Sequence, residues 1–156
     1  MKKDFLPVVA GVFFLVADQI TKFFLTHSLN PGDTIPVIKN IFHVTLVLNT
    51  GCAFGLFRNQ PMPVFLAISL FVIVSLLYFL KRLSAKGNVK ALVFSRIAAI
   101  LLISGSLSNL IDRLRFGYVI DFLDFRIWPV FNLGDTAITI GVMIFVITIL
   151  FNKIKN

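Results

Sequence analysis

The sequence contains no glutamate, so its seven acidic groups are all aspartates. Charged residues of any kind are scarce, at 14% of the chain against roughly 25% in soluble domains. Hydrophobic residues make up 58%, and a soluble fold of this length has too little interior to hide them. A single cysteine, Cys52, excludes an internal disulfide and reads as a small buried residue. The two histidines, His27 and His43, show no metal-ligand spacing, and no His-Glu-x-x-His helix occurs. No metal and no cofactor are therefore expected. A Gly-x-Ser-x-Gly elbow is also absent, as are internal repeats and low-complexity stretches.

What remains is a single unit of 156 residues with a net charge of +8. A basic balance can signal nucleic acid, but here the lysines and arginines stand at the ends of apolar runs, so a membrane is the expected partner. Crossing the hydrocarbon takes about 20 mostly apolar residues. Four segments qualify, at about 5–25, 62–80, 91–111 and 133–151. Lys2 and Lys3 before the first run resemble the start of a secretory signal. Asp18 and Lys22 interrupt where a cleavage site would stand, so this run is read as a retained helix. The expected fold is an all-α membrane protein, one integral domain over 1–156, with four transmembrane helices.

Lysine and arginine placement sets the orientation. With both termini in the cytoplasm, the inner side holds nine basic residues and one acid, Asp4. The outer side holds six basic residues (Lys22, Lys39, Arg58, Arg113, Arg115 and Arg126) and six aspartates. Two outer segments are long, 26–61 and 112–132, whereas the inner connection from Lys81 to Lys90 is short and basic. In the first, Ile35–Ile38 and Ile41–Leu48 read as strands around a turn at Lys39-Asn40, giving a small outer-surface hairpin or sheet.

The polar residues converge on the same side. Asp18 and Lys22, four apart, share a helix face in the outer third of the first span. Ionisable residues there are expensive and mark function or a structural ion pair. Asn109, Asp112 and Arg113 share a face at the end of the third span, where Arg113 can also serve as an interfacial anchor. Asn132 is suited to cap the fourth span, with Asp135 three residues on, where a carboxylate favours the helix dipole. Asp121 stands among Tyr118-Val119-Ile120 and Phe122-Leu123, an apolar setting that suggests a partly dry carboxyl. Burial and a second carboxylate both raise a carboxyl pKa. Two such groups can share one proton, one acting on water and the other on a carbonyl. Asn49-Thr50-Gly51, before Cys52-Ala53-Phe54-Gly55, reads as a tight turn. The residues alone do not rank Asp121 and Asp135 above Asp112. A Ser–Lys pair, Ser108 with Lys22, is possible but leaves the outer aspartates without a role.

These pieces resemble the lipoprotein signal peptidase (signal peptidase II) family of bacterial intramembrane aspartyl proteases. The matching motifs are Asp18-Gln19-Ile20-Thr21-Lys22, Asn49-Thr50-Gly51 with Ala53-Phe54-Gly55, Asn109-Leu110-Ile111-Asp112-Arg113, Val119-Ile120-Asp121-Phe122 and Phe131-Asn132-Leu133-Gly134-Asp135, in the family's order over nearly the whole chain. The resemblance implies cleavage of the signal peptide from prolipoproteins just before a diacylglyceryl-modified cysteine. It also implies residence in the bacterial cytoplasmic membrane with the site near its outer face. It makes Asp121 and Asp135 the catalytic pair and leaves Asp18, Lys22, Asn49, Gly51, Asn109, Asp112, Arg113 and Asn132 to bind or support. Partners would then be diacylated prolipoproteins and membrane lipids, not nucleic acid. Two positions depart from the family pattern: Ser108 replaces a usual Gly and Gly134 a usual Ala. The interval from Asp121 to Asp135 is also short, which suggests a trimmed outer loop. A proton-coupled transporter is the alternative, but it calls for acids spread through the membrane depth. A non-catalytic scaffold would not need both aspartates.

Overall fold

A computed structural model describes residues 5–51, 62–85 and 89–153. The expectations placed on Cys52-Ala53-Phe54-Gly55, Arg58, Lys86, Lys155 and the first residues lie outside the described residues. The element order is α1 (Phe5–Ser28), β1 (Thr34–Ile38), β2 (Phe42–Asn49), α2 (Met62–Ala85), α3 (Val89–Phe116), β3 (Val119–Asp124) and α4 (Leu133–Lys153).

Among the described residues, three helices are long and apolar enough to cross a membrane: Pro7–Ser28, Ala91–Phe116 and Leu133–Phe151. At about 1.5 Å per residue each exceeds or approaches the roughly 30 Å of hydrocarbon. In α2 the apolar stretch is shorter, Pro63–Leu76. The helices form because long apolar runs have no other way to satisfy their backbone in lipid. Helix α3 continues past the apolar run, which ends near Ile111, to Phe116. Gly117, at φ 83°, then turns the chain, and its N–H bonds the carbonyl of Arg113. Asp112 and Arg113 therefore belong to the helix and not to a loop.

The bundle is inside out relative to a soluble protein. On α1, Phe5, Val8, Val12, Phe13, Val16, Ile20 and Phe24 are exposed, while Asp18 and Lys22 are buried. Helix α3 packs against all three other helices. Leu76, Ala99 and Leu102 form a buried apolar cluster, with Val72, Ile138 and Phe145 packed on it. About one turn further along, α3 and α4 approach so closely that a Cβ on Gly105 would run into the carbonyl oxygen of Gly134.

The sheet has three antiparallel strands in the order β1-β2-β3. The expected hairpin is present, and Asn40 takes the left-handed φ of 63° that its turn requires. The third strand was not anticipated. Val119–Asp124 pairs with β2, with Asn49 opposite Val119 and Val47 opposite Asp121. Its apolar residues are explained by burial of nearly the whole strand. The sheet thus sits at the bundle end where α1 and α3 finish and α4 begins.

Candidate active site

Asp121 is held from the strand by two amides. Asn49, on the same face of the sheet, donates through Nδ2 to Asp121 Oδ2 at 2.9 Å, and Asn132 Nδ2 donates to Oδ1 at 2.7 Å. Asn132 also caps α4 as its position predicts. Asn132 Oδ1 accepts the N–H of Asp135 at 2.8 Å, and the Asn132 N–H reaches Asp135 Oδ2 at 3.3 Å. That reciprocal cap fixes Asp135 in the first turn. Its other oxygen accepts Asn109 Nδ2 at 2.8 Å. Asn132 Nδ2 further reaches Asn109 Oδ1 at 3.0 Å. Capping and site-building are therefore the same set of bonds, and the two carboxyls are joined through a pair of asparagines.

Both carboxyls face one cavity of about 730 Å³, together with Asn49, Gly51, Asn109 and Arg113. Its remaining wall is mostly apolar and includes Trp128, Val130, Phe131, Ile138 and Met143. Burial pushes the Asp121 carboxyl up to about 7. The charge of Asp135 adds to this, while the hydrogen bonds from Asn49 and Asn132 and the charge of Lys22 oppose it. Arg113 Nη2 donates to the carbonyl of Gly51 at 2.9 Å, and its guanidinium lies 4.3 Å from the Phe65 ring centroid. It thereby ties the end of β2 and helix α2 to α3.

Asp18, Lys22 and Asp112 lie behind this site, all buried. Lys22 Nζ is 2.6 Å from Asp18 Oδ2 and 2.7 Å from Asp112 Oδ2. The sequence grouped Asn109, Asp112 and Arg113 on one face; the structure fans them out, to Asp135, Lys22 and Gly51 respectively. Ser108 Oγ donates to Asp18 at 2.6 Å and accepts from Gln19 at 2.9 Å. Ser108 is fully buried and bonds the carboxylate instead of the lysine, which disfavours a Ser–Lys mechanism. Gln19 was not singled out from the sequence, although its spacing from Asp18 and Lys22 offered a signal. The apolar cavity wall from Ile127 to Phe131 carried no recognisable one.

Asp124 belongs to a separate arrangement. Burial raises its carboxyl, but hydrogen bonds from Thr45 and from Arg126 backbone and side chain outweigh this and hold it below the ordinary carboxylate range. An ionised, fully bonded aspartate of this kind fastens β3 to β2.

Residues 10–151 match the family model of signal peptidase (SPase) II. The chain belongs to the signal peptidase II family. It is 42% identical over 137 residues to the lipoprotein signal peptidase of Moorella thermoacetica, covering 88% of this chain and 87% of that one. With the lipoprotein signal peptidase of Clostridioides difficile it shares 40% identity over 97% of this chain and 99% of the relative. A solved bacterial membrane enzyme, determined in meso at 2.3 Å, superposes with a TM-score of 0.80 at 30% identity, covering 95% of this chain and 89% of that chain. A second such enzyme, at 1.9 Å, gives 0.76 at 32% identity, covering 93% and 92%. Family, membrane-enzyme fold and apolar helices together make this a multi-pass membrane peptidase.

Ser108 and Gly134, read from the sequence as departures from the family pattern, each have a local role in the structure. The Ser108 hydroxyl occupies space a glycine would leave empty and spends both its bonds inside the buried polar cluster. A Cβ on Gly134 would stand 3.0 Å from Asn132 Oδ1 and 3.1 Å from the Gly105 carbonyl, so this chain uses glycine where α3 and α4 press closest.

Proposed function

We propose that Asp121 and Asp135 are the catalytic pair with which this enzyme removes signal peptides from prolipoproteins. The observation that carries this reading is their convergence on one cavity through the Asn109–Asn132 amides, with Asp121 pushed up to about 7. A pair sharing one proton meets the needs of peptide hydrolysis. The ionised carboxylate takes a proton from water, whose oxygen bonds to the scissile carbonyl carbon. The protonated partner gives its proton to the carbonyl oxygen. The first carboxyl then passes its proton to the amide nitrogen, a hydroxyl of the tetrahedral intermediate returns its proton to the second carboxylate, and the C–N bond breaks to release acid and amine, with the pair again sharing one proton. Asn49, Asn109 and Asn132 hold the carboxyls in place, and Gly51 and Arg113 border the space for the substrate backbone.

The substrate is read as a prolipoprotein whose cysteine already carries a diacylglyceryl group. The mostly apolar cavity wall suits such a ligand. Acyl chains at about 0.8 kcal/mol per buried methylene and the apolar signal helix provide two anchors. The bond between them is held at the headgroup boundary, and this positioning supplies most of the selectivity. The same reading makes 1–156 one integral domain, with α2 as a fourth span, in the bacterial cytoplasmic membrane. In this reading both termini are cytoplasmic and the site is near the outer face, supported by the basic-residue asymmetry. Gathering of the polar residues at one end disfavours the transporter alternative.

The test is incubation of the purified protein with a diacylated prolipoprotein and its unlipidated form, with products followed by size and N-terminal residue. Release of a product beginning at the lipidated cysteine, and far slower cleavage without lipid, is expected. Equal rates would point to a broader intramembrane protease, and no cleavage would refute the reading.

A further inference from the structure

Three buried charged residues take no part in the cavity wall, yet they bond to both segments that carry its carboxyls. Asp112 Oδ2 accepts the N–H of Ile120, the residue before Asp121, at 3.1 Å. Asp18 Oδ1 accepts the N–H of Leu133, at the start of the helix turn that carries Asp135, at 2.9 Å. The Lys22 ammonium lies between the other oxygen of Asp18 and the same oxygen of Asp112. Its third partner is Asn109 Oδ1 at 3.3 Å. An ammonium has three donors, and these are three acceptors. The Asp18 and Asp112 oxygens are likewise all occupied, the remaining bonds coming from Gln19 to Asp112 Oδ1 at 2.9 Å and from Ser108 to Asp18 Oδ2.

We infer that Asp18, Lys22 and Asp112 form a positioning device that sets the spacing and orientation of Asp121 and Asp135. This rests on the reading that those two aspartates do the chemistry. Each carboxylate grips one catalytic segment by its backbone, and the ammonium fixes the gap between the carboxylates. Lys22 has a second effect through Asn109. A cation requires the amide oxygen to face it, so the amide NH₂ is turned onto Asp135. The same oxygen accepts Asn132 Nδ2, which also donates to Asp121. Without the cation that orientation rests on Asn132 and Asp135 alone, and a flipped Asn109 would turn an oxygen onto Asp135 and an NH₂ onto Asn132. Burying two carboxylates and an ammonium adds little net stability compared with an apolar replacement. Geometric control of the catalytic pair gives the cluster a use that stability alone does not. Gln19 and Ser108 belong to the same device, because Gln19 holds the Asp112 oxygen that Lys22 does not touch and Ser108 donates to the Asp18 oxygen that Lys22 binds.

The experiment uses the full chain in detergent micelles, with a diacylated prolipoprotein as substrate. Rates are normalised to folded protein by size-exclusion and thermal unfolding. The variants are Lys22→Met, Lys22→Arg, Gln19→Leu and, as a control on the catalytic pair, Asp121→Asn. Misplacement of reacting groups by about 1 Å costs up to about 100-fold. Lys22→Met should therefore lose roughly that factor in kcat with KM changed by less than about threefold, since nothing that touches substrate is removed. The charged groups around Asp121 are Asp135 on α4, Lys22 on α1, and Asp112 and Arg113 on α3. Loss of the lysine charge should move the alkaline limb of the pH profile upward, and Lys22→Arg should restore the limb but not the full kcat. Gln19→Leu should lower kcat about fivefold by loosening one carboxylate, and it decides the matter if Lys22→Met does not fold. Normal kcat per folded molecule with an unmoved pH limb in the folded variants would overturn the inference. If Asp121→Asn is then inactive, only the positioning device falls; if Asp121→Asn is active, the catalytic assignment falls.

Discussion

Replacing Asp121 by Asn removes a carboxyl whose protonation is tied to folding. In the folded protein it is pushed up to about 7 from 3.8, chiefly by burial and then by Asp135. A tenfold change in proton affinity corresponds to about 1.36 kcal/mol, so raising this carboxyl from 3.8 to about 7 links up to about 4 kcal/mol of stability to pH. The folded state keeps its proton where the unfolded chain has lost it. The stabilisation is therefore complete below about pH 4 and is lost as pH rises through about 7. The Asn variant cannot titrate and escapes this loss. It also weakens one of the two bonds from Asn49 and Asn132, a penalty of about 1 kcal/mol, but this does not depend on pH and cancels in the comparison. Reversible unfolding in mixed micelles at about pH 4.5 and pH 8 measures the effect. Wild type should lose several kcal/mol more than Asp121→Asn between the two conditions. Parallel pH dependences, or a larger loss in the variant, would refute the reasoning.

Other consequences follow from the packing and the cavity. Gly105→Ala should destabilise the protein by about 1–3 kcal/mol, because its Cβ meets the Gly134 carbonyl; thermal unfolding checks it, and activity should fall too as the start of α4 is displaced. Arg113→Ala, which frees the Gly51 carbonyl and the Phe65 ring, should lower cleavage about 10-fold, well short of the loss from either catalytic aspartate. Unchanged kcat/KM would make Arg113 an interfacial anchor only. Asp124→Asn, at a residue bonded to Thr45 and Arg126 away from the cavity, should leave the rate within about twofold while costing stability on the order of 1 kcal/mol.

The apolar runs made the helices legible, because in lipid a long apolar stretch has only one way to satisfy its backbone. Their ends were less so: α3 continues through Asp112 to Phe116 because those polar residues find partners in the protein. The hairpin was readable from its alternation and turn. Strand β3 was not, since Val119–Asp124 is buried nearly throughout and shows no alternation that separates it from an apolar loop. Residue type and spacing pointed to most polar residues of the candidate site, including the cap at Asn132 and the Asp18–Lys22 pair, but not to Gln19. They did not show which carboxyl faces the cavity. Asp112 and Asp121 read alike in the sequence. Only the fold turns Asp112 inward, onto Lys22 and the Ile120 N–H, and leaves Asp121 facing Asp135's cavity. The apolar wall around Trp128 is assembled from a connecting segment and one face of α4, so no local pattern announces it.

The most direct test of the catalytic pair is the cleavage rate of a diacylated prolipoprotein by Asp121→Asn, Asp135→Asn and the double variant, per folded molecule. The two residues act as one unit, so each single variant should be nearly inactive and the double variant little worse than either. Appreciable cleavage by either single variant, with normal folding and substrate binding, would contradict the account.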